Sequence, residues 1–246
     1  MTTLNRIRAA AVASFLLVAL LPGTKCDSSY CDICSDHTLC IYQGYGSACH
    51  KVVYSGTTGA DATAVVEAHN RLRDRVAAGR ERRGRPGPQP PAADMNTLVW
   101  DDELARIAQR WADQCTFDHD SCRDVERFKV GQNVYLSSTT GPIRGAEWST
   151  AVQAWYDEVR AFSKNNVNKY QFSAATGHYS QVVWGNTKYI GCGYTVYNET
   201  SRWTTQLYVC NYGPSGNFIG RRVYTIGKSC SRCPGGCHST YSSLCA

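Results

Sequence analysis

The placement of cysteine constrains this chain more than any other feature. Thirteen cysteines occur in 246 residues. Cys31, Cys34, Cys40 and Cys49 crowd one end, Cys230, Cys233, Cys237 and Cys245 crowd the other, and only Cys115, Cys122, Cys192 and Cys210 lie between. Short segments this rich in cysteine cannot bury enough apolar surface to hold themselves together and depend on covalent staples. The Cys-x-x-Cys pairs at 31–34 and 230–233 also have a spacing used for zinc or redox chemistry, but in an exported chain the disulfide reading takes precedence.

Export is indicated by the first 26 residues, which read as a signal peptide. Arg6 and Arg8 give a basic start, Ala9 to Leu21 form an apolar or small-residue run interrupted only by Ser14, and Pro22-Gly23 end it. That run falls short of the roughly 20 apolar residues a bilayer span requires; the competing reading is a signal anchor. Cleavage after Cys26, with Thr24 at the −3 position, leaves twelve cysteines and an expectation of six disulfides. Earlier cleavage would leave Cys26 as a spare thiol. Without Arg6, Arg8 and Lys25 the charge falls to 23 basic against 20 acidic residues, too mild to indicate nucleic acid or a broadly anionic partner. No later segment is long and apolar enough to span a membrane, so the expected product is secreted and soluble.

Between the cysteine clusters the period of the apolar residues changes from helical to extended. Val65, Val66, His69, Leu72 and Val76 share one face of a helix over 62–78, with Asp61 or Thr63 as its cap and Gly79 as its end. Residues 79–93 place Arg80, Arg82, Arg83 and Arg85 among Pro86, Pro88, Pro90 and Pro91 and read as an exposed, partly polyproline loop. A second helix starts near Asp101 or Asp102, with Leu104, Ile107, Ala108 and Trp111 in phase, and a third covers about 147–162. Period-two runs then predict strands at 181–184, 189–197, 203–212 and 218–225. Asn198-Glu199-Thr200 is a glycosylation sequon in the expected turn between two of them. Helices followed by antiparallel strands give an α+β layered domain.

Two stretches sharpen this reading. Gly177-His178-Tyr179-Ser180-Gln181-Val182-Val183-Trp184 and the run from Leu207 to Phe218 closely resemble the two signature motifs of the CAP superfamily, which groups cysteine-rich secretory proteins, antigen 5 allergens and class 1 pathogenesis-related proteins. His69-Asn70-x-x-Arg73, Leu98-Val99-Trp100 and Gly131-Gln132-Asn133-Val134 extend the likeness, and Tyr30-Cys31 with Cys115 and Cys122 resemble the insect antigen 5 branch. The resemblance implies an α-β-α sandwich over 60–225, between a cysteine-rich N-terminal extension (27–59) and a C-terminal tail (226–246). It also implies the pairs Cys31–Cys40, Cys34–Cys122, Cys49–Cys115 and Cys192–Cys210. The four C-terminal cysteines retain three connectivities.

In the family, two histidines and two acidic residues converge in a central cleft. His119, His178 and Glu158 match three of these positions; the fourth, normally the Glu of Gly-Glu-Asn, is Gln132. Two neutral imidazoles could ligate zinc, with Glu158 orienting a ligand or a histidine. Replacing a carboxylate by an amide removes a charge and a base, which weakens both cation binding and any case for acid–base hydrolysis. The alternative is a hydrogen-bonded cleft whose histidines are structural. Ser180 lies outside any Gly-x-Ser-x-Gly elbow and no cysteine is expected to be free, so no nucleophile is indicated. His69, on an apolar helix face, reads as a buried packing residue.

The function implied is that of a secreted, monomeric, non-enzymatic antigen 5-like protein of venom or saliva, with no obligatory cofactor. It would act on a host protein or cell-surface receptor, or sequester a sterol or fatty acid, as several family members do. The Arg/Pro loop is the candidate recognition element, facing sulfated glycans or acidic membrane proteins, against the simpler reading of a solvated loop. Some blood-feeding fly relatives use Arg-Gly-Asp against platelets; Arg83-Gly84-Arg85 lacks that aspartate, so the mechanism does not carry over. The alternatives are a metal-dependent hydrolase built on His119, His178 and Glu158, and a structural matrix or reproductive-fluid protein.

Overall fold

The computed structural model describes residues 28–200 and 202–246; the expected signal peptide and Cys26 lie outside them. In chain order the elements are α1 (Ser28–Ile33), α2 (Thr38–Ile41), β1 (Lys51–Ser55), α3 (Gly59–Ala77), β2 (Val99–Trp100), α4 (Asp102–Ala112), β3 (Gly131–Thr139), α5 (Trp148–Asp157), α6 (Gly177–Val182), β4 (Tyr189–Asn198) and β5 (Thr204–Gly213). The main sheet runs β1-β4-β5-β3 with every pair antiparallel, and the two-residue β2 lies parallel to the start of β4. β1 comes from the segment read as an N-terminal extension, so that segment contributes an edge to the sheet.

Alternation along the strands sends one set of side chains to each face. Val134, Tyr197, Leu207 and Val209 meet Ala108, Trp111 and Ala112 of α4. Cys192, Tyr194, Val196, Cys210 and Tyr212 pack into the larger core with Val65 and Val76 of α3 and Val152, Trp155 and Tyr156 of α5. The chain is thus an α+β protein with one helix layer on each side of the sheet. α4 can lie directly on β4 because Gly191 and Gly193 have no side chain there. A Cβ on Gly191 would fall 2.1 Å from the Ala105 nitrogen, and one on Gly193 would fall 2.3 Å from Gln109 Cα; both are inside van der Waals contact.

Helix starts follow local capping chemistry. α3 begins earlier than its apolar periodicity suggests, because Thr58 and Asp61 form a reciprocal capping box upstream of the first apolar residue. Asp101 caps α4 by accepting from the Leu104 N–H at 3.0 Å. The third helix, expected to about 162, gives way at Glu158 to a single 3₁₀ turn, Glu158–Arg160.

Two of the four expected strands are corrected. The stretch 181–184 holds the end of α6 and the turn after it, and 218–225 forms turns and bends. The first error is physical: the three apolar residues Val182, Val183 and Trp184 have no periodicity that separates a buried strand from a buried helix. In the second, Tyr170 N–H donates to Arg221 O at 2.7 Å and Gly220 N–H donates to Tyr170 O at 2.8 Å, so backbone groups are satisfied by a neighbouring loop instead of a ladder. β3 carried no expectation, since its residues mix Gly, Gln, Asn, Ser and Thr.

Six disulfides form among the described residues, and two of them tie the N-terminal segment to this frame. Cys31–Cys40 closes the α1–α2 turn, Cys34–Cys122 and Cys49–Cys115 clamp the N-terminal segment to the loop after α4, and Cys192–Cys210 joins residues directly opposite on β4 and β5. The tail adopts Cys230–Cys237 and Cys233–Cys245. It is anchored by Cys245 N–H donating to Met95 O at 2.8 Å and by fully buried Leu244.

Candidate functional site

Adjacent residues of edge strand β3 hold both histidines. Gln132 faces α4, and its Oε1 lies 2.8 Å from His119 Nδ1. Asn133 faces the opposite layer, and its Nδ2 donates to the His178 carbonyl at 3.2 Å. His119 sits on the loop between Cys115 and Cys122, which is fixed by two disulfides and by Trp111 Nε1 donating to Asp118 O at 2.8 Å. No hydrogen bond or ring contact joins His119 to His178 directly.

His178 lies in the first turn of α6, where the sequence led to an expectation of a residue just before a strand. Its Nδ1 is 2.7 Å from Glu158 Oε1, while Glu158 Oε2 accepts the backbone N–H groups of His178 and Tyr179 at 2.9 and 3.0 Å. Thr176 offers no side-chain cap to this helix. A carboxylate from the end of α5 therefore caps α6 and orients its histidine at once. At the other end, buried Arg73 donates to the carbonyls of Val182 and Trp184 at 2.8 and 2.9 Å. It also bonds to Asn96 O, and burial lowers its guanidinium to about 9.

The Gln132 amide is oriented by what surrounds it. Its Nε2 donates to Asp120 Oδ1 at 3.0 Å and to Asn211 Oδ1 at 3.1 Å, so Oε1 must be the acceptor facing His119. His119 then donates through Nδ1 and keeps its Nε2 lone pair free. Asp120 is buried, bonded by Thr38 Oγ1 and paired with Arg123. A glutamate at 132 would oppose one oxygen to two acceptors, one of them charged. The carboxylate beside His119 is thus that of Asp120, on the loop, and it is paired with Arg123. Asp120, Asn133 and Asn211 were given no role from the sequence, although each lies in a quoted stretch: Phe117-Asp118-His119-Asp120, Gly131-Gln132-Asn133-Val134 and the run from Leu207 to Phe218.

His69 is placed as a fully buried residue. Its Nδ1 bonds the Val65 carbonyl and its Nε2 the Tyr212 hydroxyl, each at 2.8 Å, and desolvation lowers it to about 4. Ser180 is buried with its hydroxyl shared among Tyr170, Asn217 and two carbonyls. Neither residue is positioned as an attacking pair.

For a metal, each cleft imidazole has Nδ1 occupied by an oxygen acceptor, and no hydrogen bond is seen to either Nε2 among the described residues. That is the arrangement a neutral histidine ligand needs. Among the described residues, the only three His, Cys, Asp or Glu donors within 4.8 Å of one another are Cys34, Asp36 and Cys122. Their two sulfurs form a disulfide, so that set supplies no thiolate. His119 and His178 are therefore two separate imidazole donors, and around neither do the described residues complete a set of three His, Cys, Asp or Glu donors.

The Arg/Pro loop differs from the solvated loop the sequence suggests. Glu81 and Gln89 are buried within it. Arg83 pairs with Glu81 at 2.9 Å and Asp157 at 2.6 Å and lies over the Tyr156 ring, while Arg80 pairs with Asp74 at 2.6 Å. Burial alone would raise the Glu81 carboxyl, but hydrogen bonds from Arg83 and Tyr156 outweigh it and hold it at about 2. Arg82 and Arg85 remain exposed.

A cavity of about 670 Å³ opens on the α3/α5 side of the sheet, away from the histidines. Val53, Tyr54, Ile143, Ala146, Tyr194 and Val196 give it an apolar wall, and Thr58, Asp61, Asn198 and Thr204 supply its polar groups. Asn198, the sequon residue, is the last residue of β4 and lies on its rim.

Comparison with known proteins places this geometry. The chain is 46% identical over 198 residues to Venom allergen 3 of Solenopsis invicta, covering 78% of this chain and 84% of that one. It is 46% identical over 202 residues to Venom allergen 5 of Dolichovespula arenaria, covering 80% and 98%. Among solved structures it resembles zinc-containing NaASP2 (TM-score 0.66, 31% identity, covering 78% of this chain and 97% of that one). It also resembles BmVAL-1 (TM-score 0.65, 26% identity, covering 79% and 98%). Residues 66–212 match the model of the CAP, cysteine-rich secretory protein family, a range that takes in His119, His178, Glu158 and Gln132, and the chain belongs to that family.

Proposed function

We propose that this is a secreted, non-enzymatic venom- or saliva-type protein that sequesters a small amphipathic lipid. The observation that carries the reading is the 670 Å³ apolar cavity, a size within the range of small-molecule sites, roughly 300–1,000 Å³. The Asp61 carboxylate at its polar end, bonded by Thr58 N–H and Trp148 Nε1, repels a fatty-acid carboxylate and accepts from a hydroxyl. A sterol-like ligand therefore suits the site better than a fatty acid. The absence of enzymatic activity is supported by the enclosure of Ser180 and the bonding of all described cysteines into disulfides. Native mass spectrometry with cholesterol and with palmitate tests the reading. One equivalent of sterol should be retained, palmitate should bind more weakly, and Ala146→Trp should block both. Retention of neither ligand, or indifference to Ala146→Trp, would end it.

A second reading concerns zinc, favoured by the two oriented imidazoles with free Nε2 atoms. A relative's structure contains zinc, and here His119 and His178 would supply two nitrogen donors with water completing the shell. Such an ion would be of modest affinity, because Gln132 contributes no charge and Asp120 is already paired. Titration calorimetry with zinc should show a heat that His178→Ala removes; no heat from the parent protein rejects the idea.

A further inference from the structure

The small net charge of the chain conceals a strong polarity. From Val159 to Ala246 there are nine lysines and arginines and a single acidic residue, Glu199. The fold gathers part of this excess on one face by backbone hydrogen bonds between three loops. Arg85 N–H donates to Phe162 O at 2.9 Å and Lys164 N–H to Pro86 O at 3.0 Å, which joins the Arg/Pro loop to residues 162–164. Tyr170 and Arg221, Gly220 and Tyr170, and Val223 and Val167 are joined in the same way, which ties residues 167–170 to 220–223.

The result is an exposed run of cations, Arg82, Arg85, Lys164, Lys169, Arg221 and Arg222. The acidic groups beside it are all engaged. Asp157 is held by Arg83 and Arg160, Glu158 by His178, and Asp94 accepts the Thr225 N–H at 2.8 Å.

Three large apolar side chains stand out of the same face. Ile219 is 75% exposed, Phe172 61% and Phe218 47%. Phe218 and Ile219 sit at a turn tip that ends at Gly220, whose φ is +79°. Asn217 Nδ2 donates to Gly177 O at 2.9 Å, and a Cβ on Gly177 would lie 3.3 Å from the Phe172 ring, so Phe172 borders that tip.

We propose that this face docks on an anionic lipid membrane, with the Phe218-Ile219 tip entering the headgroup–acyl boundary and the surrounding cations meeting lipid phosphates and carboxylates. Charge complementarity alone would equally serve a sulfated polysaccharide. The apolar tip decides between them, because a polysaccharide would leave it in water while an interface buries it between its flanking cations. The docking face is independent of the lipid cavity.

The test is co-sedimentation of the mature protein with phosphatidylcholine vesicles and with vesicles in which a third of the lipid is phosphatidylserine. Binding should be at least about tenfold stronger on the anionic vesicles and fall steeply with salt. Ile219→Ser should weaken it several-fold, the pair Arg221→Glu and Arg222→Glu should abolish it, and Lys51→Glu on the distant β1 edge should leave it unchanged. Thermal melting checks that each variant folds, and Lys169→Glu serves if the double reversal does not. Equal binding to both vesicles overturns the proposal. So does anionic binding that ignores Ile219→Ser while heparin retention follows the arginines, since that pattern assigns the face to a polysaccharide.

Discussion

Gln132 Nε2 lies 3.0 Å from Asp120 Oδ1, and this contact turns the amide oxygen of Gln132 toward His119 Nδ1. The amide must give its hydrogens to Asp120 and Asn211 and turn its oxygen to His119. Gln132→Glu would set a carboxylate oxygen against Asp120. The expected cost is about 1–3 kcal/mol at neutral pH, shrinking in acid as the new carboxyl gains a proton to donate. Asp120→Asn in the same background should recover part of it. Denaturant melts at pH 7 and pH 4 check this; a Gln132→Glu protein as stable as its parent at neutral pH would show that the contact carries no such weight.

Arg73 should be among the least replaceable side chains. It is fully buried with no carboxylate partner among the described residues, and its charge is spread over the carbonyls of Asn96, Val182 and Trp184. Arg73→Met leaves those oxygens unsatisfied at about 1–3 kcal/mol each, so a loss above roughly 3 kcal/mol is expected, with α6 the first element to exchange amide hydrogens. Hydrogen exchange localises the effect, and uniform loosening of the whole chain would speak against a role specific to α6.

Acid should destabilise the protein in a window set by His69. Its folded value, about 4, lies below the ordinary 6.5 because the buried ring resists charging. The unfolded chain therefore takes up a proton that the folded chain refuses, and stability falls as pH drops from about 6.5 toward 4. The shift corresponds to something on the order of 3 kcal/mol for this one group. Glu81 extends the loss, since a carboxyl held at about 2 loses its advantage as pH falls below 4.5. Melting temperature against pH measures both, and Glu81→Gln should flatten only the lower part of the curve.

The arginines of the Arg/Pro loop should separate by role. Arg83→Ala removes one of the two arginines paired with buried Glu81, leaving Arg75 at 3.2 Å, and should cost about 1–3 kcal/mol, the range for losing hydrogen bonds to a buried charged group. Arg82→Ala and Arg85→Ala should stay within about 0.5 kcal/mol, as exposed positions do. Equal effects at all three positions would contradict the pinned geometry of the loop.

The sequence by itself determined the elements whose code is local. α3 and α4 follow from apolar residues at helical spacing, and β4 and β5 from β-branched and aromatic runs long enough to show their period. The family likeness rests on short motifs and likewise needed no coordinates. Gln132 stood out in the sequence as a departure, but its meaning did not, because Asp120 reaches it only through the folded loop after α4. The run at 181–184 looked extended because nothing nearby reveals that Glu158 caps one end of α6 and Arg73 the other. The Arg/Pro loop looked solvated because the groups that tie it to the rest of the fold are remote in sequence: Asp157, which accepts from Arg83, is 74 residues away. Periodicity is a property of neighbours along the chain, whereas buried polar groups are satisfied by partners across it, and only tertiary structure selects those partners.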